Sequence, residues 1–389
     1  MFQRRARLFT ILGFEVKVDI SWLILAVLIT WTLARGLFPY YYKNLPAATY
    51  WWMGIAGTLG LFLAIVFHEL SHSLVARKHG LPMKGITLFI FGGLAEMSDE
   101  PPTPKAELRM AIAGPLASIA LGLFFFLIRV LGKNAAWPVP VVGVVSYLAV
   151  INFILAGFNL LPAFPLDGGR VLRSILWRWK NNIRWATRVS SRIGSGFGML
   201  LIFLGALRFI FGDFIGGAWM FLIGMFLRGA SRMSYRQVLM RKALEGEKVA
   251  RFMNDNPVTV EPSITLEELV NDYIYRHHFK MYPVVENGKV LGCVTTKQIK
   301  EISREDWANR RVGEMVEGCS NENSISPDTD AVKALTVMSK SRNSRLMVVE
   351  GDRLVGIITL KDLLGFLSVK LDLEGEEGEA AGLIGASGG

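Results

Sequence analysis

The sequence reads Ile65-Val-Phe-His-Glu-Leu-Ser-His72 inside an apolar run that begins near Trp51 and continues beyond the motif. Histidines four residues apart lie on one face of a helix, so the rings of His68 and His72 can reach one metal ion. Glu69 follows the first histidine, where its carboxylate can accept a proton from a water molecule on that ion. The stretch therefore has the His-Glu-x-x-His spacing of a helix that binds zinc and holds a general base beside it.

The apolar surroundings of this motif strengthen the interpretation. Ionisable side chains are costly inside a segment long enough to cross a membrane, so such groups are functional by default. The alternative, a polar packing contact between membrane helices, would need one histidine and no glutamate. We therefore predict a metal centre with one zinc ion per chain, on the catalytic helix of a zinc peptidase.

The composition divides the chain into two halves of opposite charge. The 389 residues are 51% apolar and 20% charged, with a mean hydropathy of +0.36, which is typical of a membrane protein that carries a soluble portion. Residues 1–242 hold 26 Lys and Arg against nine Asp and Glu, whereas residues 243–389 hold 17 against 24. Loops beside membrane lipid account for the basic half, so no nucleic-acid partner is implied.

The apolar pattern predicts a polytopic α-helical membrane domain over residues 1–242, followed by a soluble α/β module. About six transmembrane helices are expected, at 20–38, 51–78, 110–131, 139–161, 193–211 and 214–227. Residues 85–97 are β-branched, aromatic and bounded by glycines, and they are too few to span a membrane. We expect a small membrane-embedded β-strand or hairpin there.

The basic residues predict one orientation in the membrane. They precede the first helix and follow the second, fourth and sixth, so the positive-inside rule puts both termini and the soluble half in the cytoplasm. The two cysteines, Cys293 and Cys319, suit a reducing compartment. We expect a multi-pass protein of the cell membrane, with the histidine motif and Asp167 at similar depth near the cytoplasmic side.

A zinc site with two histidines needs a third protein ligand and an open position. Asp167, at the end of the fourth helix, is the best candidate, although Asp-Gly-Gly is also an ordinary turn sequence. The rival carboxylates lie in loop sequence without an apolar frame, and they are Glu96, Asp99 and Glu107. Asn152 and Asn159 can either donate hydrogen bonds to a developing oxyanion or hold membrane helices together.

Residues 1–242 resemble the site-2 protease family of intramembrane zinc metalloproteases, in the branch that includes sporulation sigma-factor-processing enzymes. The resemblance rests on three matches in the same order: His68-Glu-Leu-Ser-His72, Phe91-Gly-Gly with the later Ala113-Gly-Pro, and Asn159-Leu-Leu-Pro-Ala-Phe-Pro-Leu-Asp-Gly168. Three ordered matches are far more specific than the zinc motif alone.

This resemblance implies a set of site residues. The zinc ligands would be His68, His72 and Asp167. Glu69 would be the general base, and Asn159 would hold the substrate or the oxyanion. The strand at 85–97, with Gly92 and Gly93, would pair with an unwound segment of the substrate by β-augmentation.

Residues 243–389 contain an internal repeat with a period close to 64 residues. Gly292-Cys-Val-Thr-Thr-Lys-Gln-Ile returns as Gly356-Ile-Ile-Thr-Leu-Lys-Asp-Leu, and Tyr282-Pro-Val-Val-Glu matches Leu346-Met-Val-Val-Glu. Each copy has the pattern helix, strand, short turn, strand, helix. The repeat resembles a tandem pair of CBS (cystathionine β-synthase) domains.

The division of this half follows from the repeat. We expect a linker at 243–251, CBS copies at 252–310 and 311–370, and a disordered acidic and Gly-rich tail at 371–389. The resemblance implies an adenine nucleotide in the cleft between the copies, with Thr359 and Asp362 at its phosphate and ribose. The first copy departs from that pattern, because Gln298 stands where the aspartate would be. The alternative is that both copies are scaffolds without a ligand, for homodimer formation or substrate docking.

Two classes of function follow. The first is an intramembrane endopeptidase that cuts a single-span, membrane-anchored regulatory protein, with the CBS pair controlling activity or substrate access. The second is a CBS-regulated transporter or channel in which buried His and Glu carry ions. A transporter would have related broken helices in two halves, and we find no repeat between helices one to three and four to six. An inactive scaffold is disfavoured because no motif position is degraded.

Overall fold

The computed structural model describes residues 5–81, 83–89, 92–97, 100–341 and 343–373. The chain divides into two compact units, Met1–Tyr235 and Arg236–Gly389. The boundary falls before the predicted one at 242, because the last membrane helix continues without a break into the second unit.

Within the described ranges, six helices of the chain are long and apolar enough to cross a membrane, as predicted. They are α1 (Ile20–Tyr41), α2 (Ala47–Lys78), α3 (Pro104–Asn134), α4 (Val139–Asn159), then, after the shorter α5 (Asp167–Lys180), α6 (Ile183–Ile210) and α7 (Phe214–Leu244). The basic segment that follows the fourth helix is therefore helical, as α5 and the first turns of α6.

Several of these helices are longer than the predicted apolar spans, since polar residues cap and extend them. The Thr103 side chain accepts a hydrogen bond from the first turn of α3, so that helix begins within the predicted loop. Asn182 caps α6 in the same way, so that helix begins at Ile183, ten residues before the predicted start at 193. The sixth span does not end at 227, because polar residues with good helix propensity carry α7 on to Leu244.

A four-stranded sheet, counted over the described residues, lies beside the helices in the order β1 (Arg5–Ile11), β2 (Phe14–Asp19), β3 (Met83–Phe89), β4 (Gly92–Met97). The strand or hairpin predicted at 85–97 is present as β3 and β4, which pair antiparallel with each other. The hairpin of β1 and β2 was not predicted, because its apolar and polar residues alternate over only a few positions within a basic segment. β2 joins β3 in parallel, so that β4 is an edge of the sheet.

The sheet packs on one face of α2. Apolar side chains of β2 and β3 contact a stripe along α2, and together they form one buried cluster: Phe14, Val16, Val18, Phe62, Val66, Leu70, Ile86 and Leu88. The stripe on α2 has the four-residue spacing of a helix face. One side of α2 is thereby fixed against the sheet, and the other side is left for α3 and α4.

The described residues of the second unit form two three-stranded sheets, each built on one hairpin. The third strand pairs antiparallel with the second hairpin strand in one sheet and parallel with the first hairpin strand in the other. One has the order β5 (Met281–Glu286), β6 (Lys289–Thr295), β7 (Glu317–Gly318), and the other has β8 (Ser324–Ile325), β9 (Arg345–Glu350), β10 (Arg353–Thr359), with β9 central. Helices follow the hairpins at α8 (Thr296–Lys300) and α10 (Leu360–Leu373), and α9 (Ala331–Ser341) precedes the second hairpin. The repeat of the sequence is therefore a repeat of structure, as predicted.

The predicted divisions within this unit need correction. Leu244 and Val249, from the predicted linker at 243–251, are buried in the core of the second CBS copy. Val312 and Met315 pack in the core of the first copy, so the predicted start of the second copy at 311 is too early. Each copy thus takes core residues that a division by sequence repeat assigns elsewhere. The predicted tail from 371 begins as the last turn of α10, and residues 374–389 lie outside the described residues.

Candidate metal centre

His68 and His72 lie on the face of α2 opposite to the sheet. Residues of a helix are about 100° apart around its axis, so the two rings are about 40° apart and about half a turn from Val66. Both rings meet α3: the Nδ1 of His68 is 2.8 Å from Ser118 Oγ, and the Nδ1 of His72 is 2.6 Å from the carbonyl oxygen of Met110. The histidine face is therefore buried between helices.

The third predicted ligand converges with the two histidines. Asp167 Oδ2 is 3.0 Å from His68 Nε2 and 3.1 Å from His72 Nε2, and the two Nε2 atoms are 3.2 Å apart. These three side chains form the group in the described residues that is suited to hold a metal ion. The sequence separation between His72 and Asp167 is 95 residues, so the fold alone brings them together.

The hydrogen bonds on the far side of each ring determine what the Nε2 atoms can do. A carbonyl oxygen only accepts, so His72 donates from Nδ1 to Met110 and its neutral ring has a lone pair on Nε2. Donation from His68 Nδ1 to Ser118 has the same effect on that ring. Two nitrogen lone pairs and a carboxylate oxygen then face one another across about 3 Å.

Such a triangle of electron-rich atoms repels itself unless a cation lies among them. Zinc bonds of about 2.0–2.1 Å in a tetrahedral site separate neighbouring ligand atoms by about 3.3 Å, close to the distances found. Two imidazoles and one carboxylate, with a fourth position open, are also the donor set of catalytic zinc sites. The residues present therefore fit a zinc ion.

Gly114 of α3 leaves the space that such an ion needs. A Cβ built on Gly114 would lie 2.5 Å from His68 Nε2, and nearer still to His72 Nε2. Any side chain at this position would therefore enter the triangle of ligand atoms. Pro115 follows within the helix, where it lacks the N–H that would otherwise bond the carbonyl oxygen of Ala111.

Asp167 is the first residue of α5, and a compact loop at 160–166 delivers it. Gly168 and Gly169 lie so close to the backbone of that loop that a Cβ on either would overlap it. The Ser231 hydroxyl of α7 donates a hydrogen bond to the carbonyl oxygen of Phe164 and holds the loop from the other side. Asp-Gly-Gly is therefore both a turn sequence and the site of the predicted ligand, because the two glycines let the loop pack closely against the start of α5.

Glu107, one of the three rival carboxylates, does not join the triangle. Glu107 is buried near the start of α3, where it accepts hydrogen bonds from Arg173 of α5 rather than facing the histidines. The side chain of Glu96 and all of Asp99 lie outside the described residues. Glu107 is therefore a structural partner of Arg173 and not a ligand.

Glu69 lies beside the histidines on α2 and is half-buried. Helical geometry puts it about 60° from His72 on one side and about 20° from Phe62 on the other. It therefore occupies the seam between the histidine face and the sheet face of α2. A carboxylate in this seam can reach a molecule that enters between the ligand triangle and β3 or β4.

Other predicted residues have more ordinary surroundings. Asn159, the last residue of α4, donates from Nδ2 to the carbonyl oxygen of Leu155 and remains half-buried. Asn152 is fully buried, donates within its own helix, and has an Oδ1 without a partner in the described structure. Gly92 and Gly93 begin the edge strand β4, where they pair with Phe89 and Leu88.

The Thr-x-x-Asp element of the second CBS copy forms a helix cap. Asp362 Oδ2 accepts hydrogen bonds from Thr359, at 2.9 Å from its backbone nitrogen and 2.7 Å from Oγ1. Thr295 and Gln298 make the same cap in the first copy, with corresponding distances of 2.7 and 2.8 Å. The substitution of Gln for Asp thus keeps the cap and changes only the charge.

Three features of the centre did not follow from the sequence: the hydroxyl of Ser118, the carbonyl of Met110, and the space at Gly114, which the sequence showed only as part of the Ala113-Gly-Pro match. The sequence does indicate that these residues share one face of a helix, because successive members are three or four residues apart: Glu107, Met110, Gly114 and Ser118. Small and polar residues at that spacing are common in membrane helices, however, so the spacing gave no reason to link them to His68.

Comparison with known families matches both units of the chain. The model of Peptidase family M50 matches residues 56–136 and 127–203, and that of the CBS domain matches residues 249–305 and 316–369. The M50 match contains α2 from residue 56 onward, α3 and Asp167, and the CBS match contains both sheets of the second unit. A solved site-2 protease from Methanocaldococcus jannaschii is 29% identical, with a TM-score of 0.42, covering 60% of this chain and 96% of that one.

Two curated relatives are similar over nearly their whole lengths. The putative zinc metalloprotease Rip3 of Mycobacterium tuberculosis is 33% identical over 92% of each chain. The zinc metalloprotease MJ0392 of Methanocaldococcus jannaschii is 32% identical over 95% of this chain and 98% of its own. Similarity through both units defines a membrane zinc metalloprotease with a C-terminal CBS pair. The chain belongs to peptidase family M50, the site-2 protease family, and this membership decides against a transporter or channel.

Proposed function

We propose that this protein is an intramembrane endopeptidase that hydrolyses a peptide bond in or near the transmembrane segment of a single-span, membrane-anchored regulatory protein. The observation that carries this proposal is the triangle of His68, His72 and Asp167 beside Glu69. The three side chains hold one zinc ion per chain. Zinc, when bound, polarises the scissile carbonyl and makes the attacking water more acidic.

Glu69 acts as the general base and then as the general acid. Its carboxylate takes the proton of the attacking water, and it returns a proton to the nitrogen of the leaving amine. The seam between the histidine face of α2 and its sheet face suits this role, because Glu69 lies there beside both His72 and the stripe that packs on the sheet.

The edge strand β4 supplies the substrate-binding surface. A transmembrane helix must unwind before its peptide bond can be attacked, and the freed N–H and C=O groups then need new partners. An extended segment added to the edge of β4 would satisfy them by β-augmentation. Gly92 and Gly93 lie at the beginning of this edge, where the lack of side chains lets another backbone approach closely.

Asn159 is assigned to the substrate or to the oxyanion. Its Nδ2 has a second proton besides the one donated to Leu155, so the amide can donate to a carbonyl oxygen that gains negative charge. It stands at the end of α4, just before the loop that leads to Asp167. Removal of one such donor typically lowers kcat by about 10²–10³ in other hydrolases.

The CBS pair regulates activity or substrate access from the cytoplasm, where both termini also lie. We assign to it an adenine nucleotide, with Thr359 and Asp362 at phosphate and ribose, and a homodimer through the CBS copies. The basic segments beside α2, α5 and α7 contact anionic lipid headgroups on that side of the membrane. A cytoplasmic site for the metal centre also gives water a short route to it.

A cleavage assay with metal analysis tests this proposal. The full chain is co-expressed with epitope-tagged single-span proteins, and zinc in the purified protein is measured by elemental analysis. Wild type should give a shortened product and about one zinc per chain. Glu69→Gln should keep the zinc and lose the product, whereas His68→Ala should lose both. Glu245→Gln, which alters an exposed carboxylate directly after the end of α7, should match wild type.

Two outcomes would overturn the proposal. One is wild-type protein without zinc, and the other is wild-type cleavage by Glu69→Gln. Cleavage that depends on Glu69 but occurs far from the membrane segment of the substrate would retain the peptidase and reject the intramembrane site.

A further inference from the structure

A buried arginine on α5 has no part in the chemistry described so far. Arg173 is six residues beyond Asp167 on the same helix, and only 2% of its surface is exposed. A buried guanidinium is costly unless charged partners surround it. Its surroundings therefore indicate what it does.

Two carboxylates and one aromatic ring surround Arg173. Its Nε donates to Glu107 Oε1 at 2.5 Å, and its Nη2 contacts the same oxygen and Glu100 Oε2, the latter at 3.1 Å. Glu107, in the first turn of α3, is 1% exposed. The guanidinium also lies over the ring of Phe164, 5.2 Å from its centroid.

These contacts join the two elements that build the metal centre. The α3 helix supplies Met110 and Ser118, which orient the histidines, and Gly114, which leaves room for the ion. The α5 helix and the loop before it supply Asp167. Arg173 binds both, since it is bonded to Glu107 of α3 and lies over Phe164 of the loop.

The geometry of the pair is poor for stability alone. Both nitrogens of Arg173 converge on one oxygen of Glu107, and Glu107 Oε2 is buried with no hydrogen-bond partner in the described structure. A parallel pair of bonds would satisfy both oxygens. A buried ion pair seldom stabilises a fold more than apolar residues of the same size, so stability alone does not account for this pair, and its directional bonds to two elements favour a positioning role.

We propose that Arg173, held by Glu107, is a positioning residue that fixes the Asp167 carboxylate against the histidine pair and so sets the affinity of the centre for zinc. The inference rests on the proposed zinc site. It adds to that proposal a residue that touches neither the ion nor the substrate.

Zinc affinity of the purified full chain tests the inference, measured by competition with a chelator of known affinity. Glu107→Gln should bind zinc about tenfold more weakly, as is typical when an outer-sphere partner is removed. Glu100→Gln is the matched comparison, because its side chain is 32% exposed and its loss leaves the Arg173–Glu107 bonds in place. It should change the affinity by no more than about twofold on the same scale.

A second variant covers the case in which Glu107→Gln does not fold. The double variant Glu107→Leu/Arg173→Met removes both charges and should fold, since apolar replacement of a buried pair is often neutral. It should still bind zinc about tenfold more weakly, because no directional bond then fixes α5. The melting temperature of the metal-free protein should change little, while the rise in melting temperature on adding zinc should shrink.

The outcomes separate this inference from the function on which it rests. Variants that melt at lower temperature but bind zinc as wild type does would overturn the positioning role and leave the zinc site intact. A wild-type chain that binds no zinc would overturn the proposed function itself.

Discussion

Gly114 of α3 lies directly against the ring of His72. A Cβ on Gly114 would be 2.6 Å from Cε1 of His72 and closer to its Nε2, the atom that faces Asp167 and His68. A glycine is therefore required here by the space for an ion, and not by its backbone conformation, which is helical. The predicted metal centre thus depends on the absence of a side chain at Gly114 as well as on the three predicted ligands.

Gly114→Ala should remove zinc from the protein. The added methyl group would displace the two rings or occupy the position of the ion, and overpacking of this kind costs about 1–3 kcal/mol, or roughly 5- to 150-fold in affinity. Elemental analysis and chelator competition measure the loss. Gly157→Ala on α4 is the control, since a Cβ there meets nothing within 4 Å. Equal zinc content in both variants would contradict the assigned site.

Ser118→Ala should weaken zinc binding while leaving the helices folded. The hydroxyl is the partner of His68 Nδ1 at 2.8 Å, and without it the ring loses the contact that fixes its tautomer and orientation. Loss of such a partner typically costs about 10- to 100-fold in metal affinity. Ser146→Ala provides the comparison, because that hydroxyl bonds only a carbonyl of its own helix. If the two variants bind zinc alike, Ser118 does not orient His68.

The sequence allowed the ligands and the spanning helices to be predicted because both follow from local chemistry. The spacing of His68 and His72 fixes a helix face, and the cost of charge in an apolar segment marks Asp167 and Glu69 as functional. The parts that depend on distant contacts were not predicted. Gly114 and Ser118 meet the histidines only through the packing of α3 on α2, and nothing near them in the sequence reveals that contact.

The errors in the soluble half have a related cause. A sequence repeat marks where two units resemble each other, but it does not mark where the chain crosses from one core to the other. Leu244 and Val249 precede the first copy and are buried with the second, and Val312 does the reverse. The strands β1 and β2 were missed because a short strand at a basic terminus lacks the length that makes alternation visible.

The two cysteines should differ in reactivity while the protein is folded. Cys293 is 1% exposed between the two CBS copies, and burial, with nearby Glu317 and Cys319, raises its pKa to about 12. At pH 8 such a thiol has about a thousandth of the thiolate of an unperturbed one, so it should resist alkylation. Exposed Cys319 should react, although burial and Asp352 also raise its pKa.

Mass spectrometry after maleimide treatment at pH 8 measures this difference. One label per chain, on Cys319, is expected in the folded protein, and two after denaturation. Slow labelling of Cys293 would then report separation of the two copies. Equally fast labelling of both residues in the folded chain would contradict the packing of Cys293 between them.

Asp362→Gln should separate the structural role of the Thr-x-x-Asp element from its role toward a nucleotide. Gln298 already makes the same cap with Thr295, so glutamine at 362 should retain the hydrogen bonds to Thr359 and the melting temperature of the module. It removes the carboxylate that would accept hydrogen bonds from the ribose. The affinity for an adenine nucleotide, measured by calorimetry on the full chain, should therefore fall at least tenfold, as expected for a lost charged hydrogen bond of about 1.5–3 kcal/mol.

Thr359→Ala is the complementary variant, because it breaks the cap and should destabilise the module by about 1 kcal/mol. Unchanged nucleotide binding in Asp362→Gln would leave the aspartate with only the structural role that its counterpart Gln298 already has.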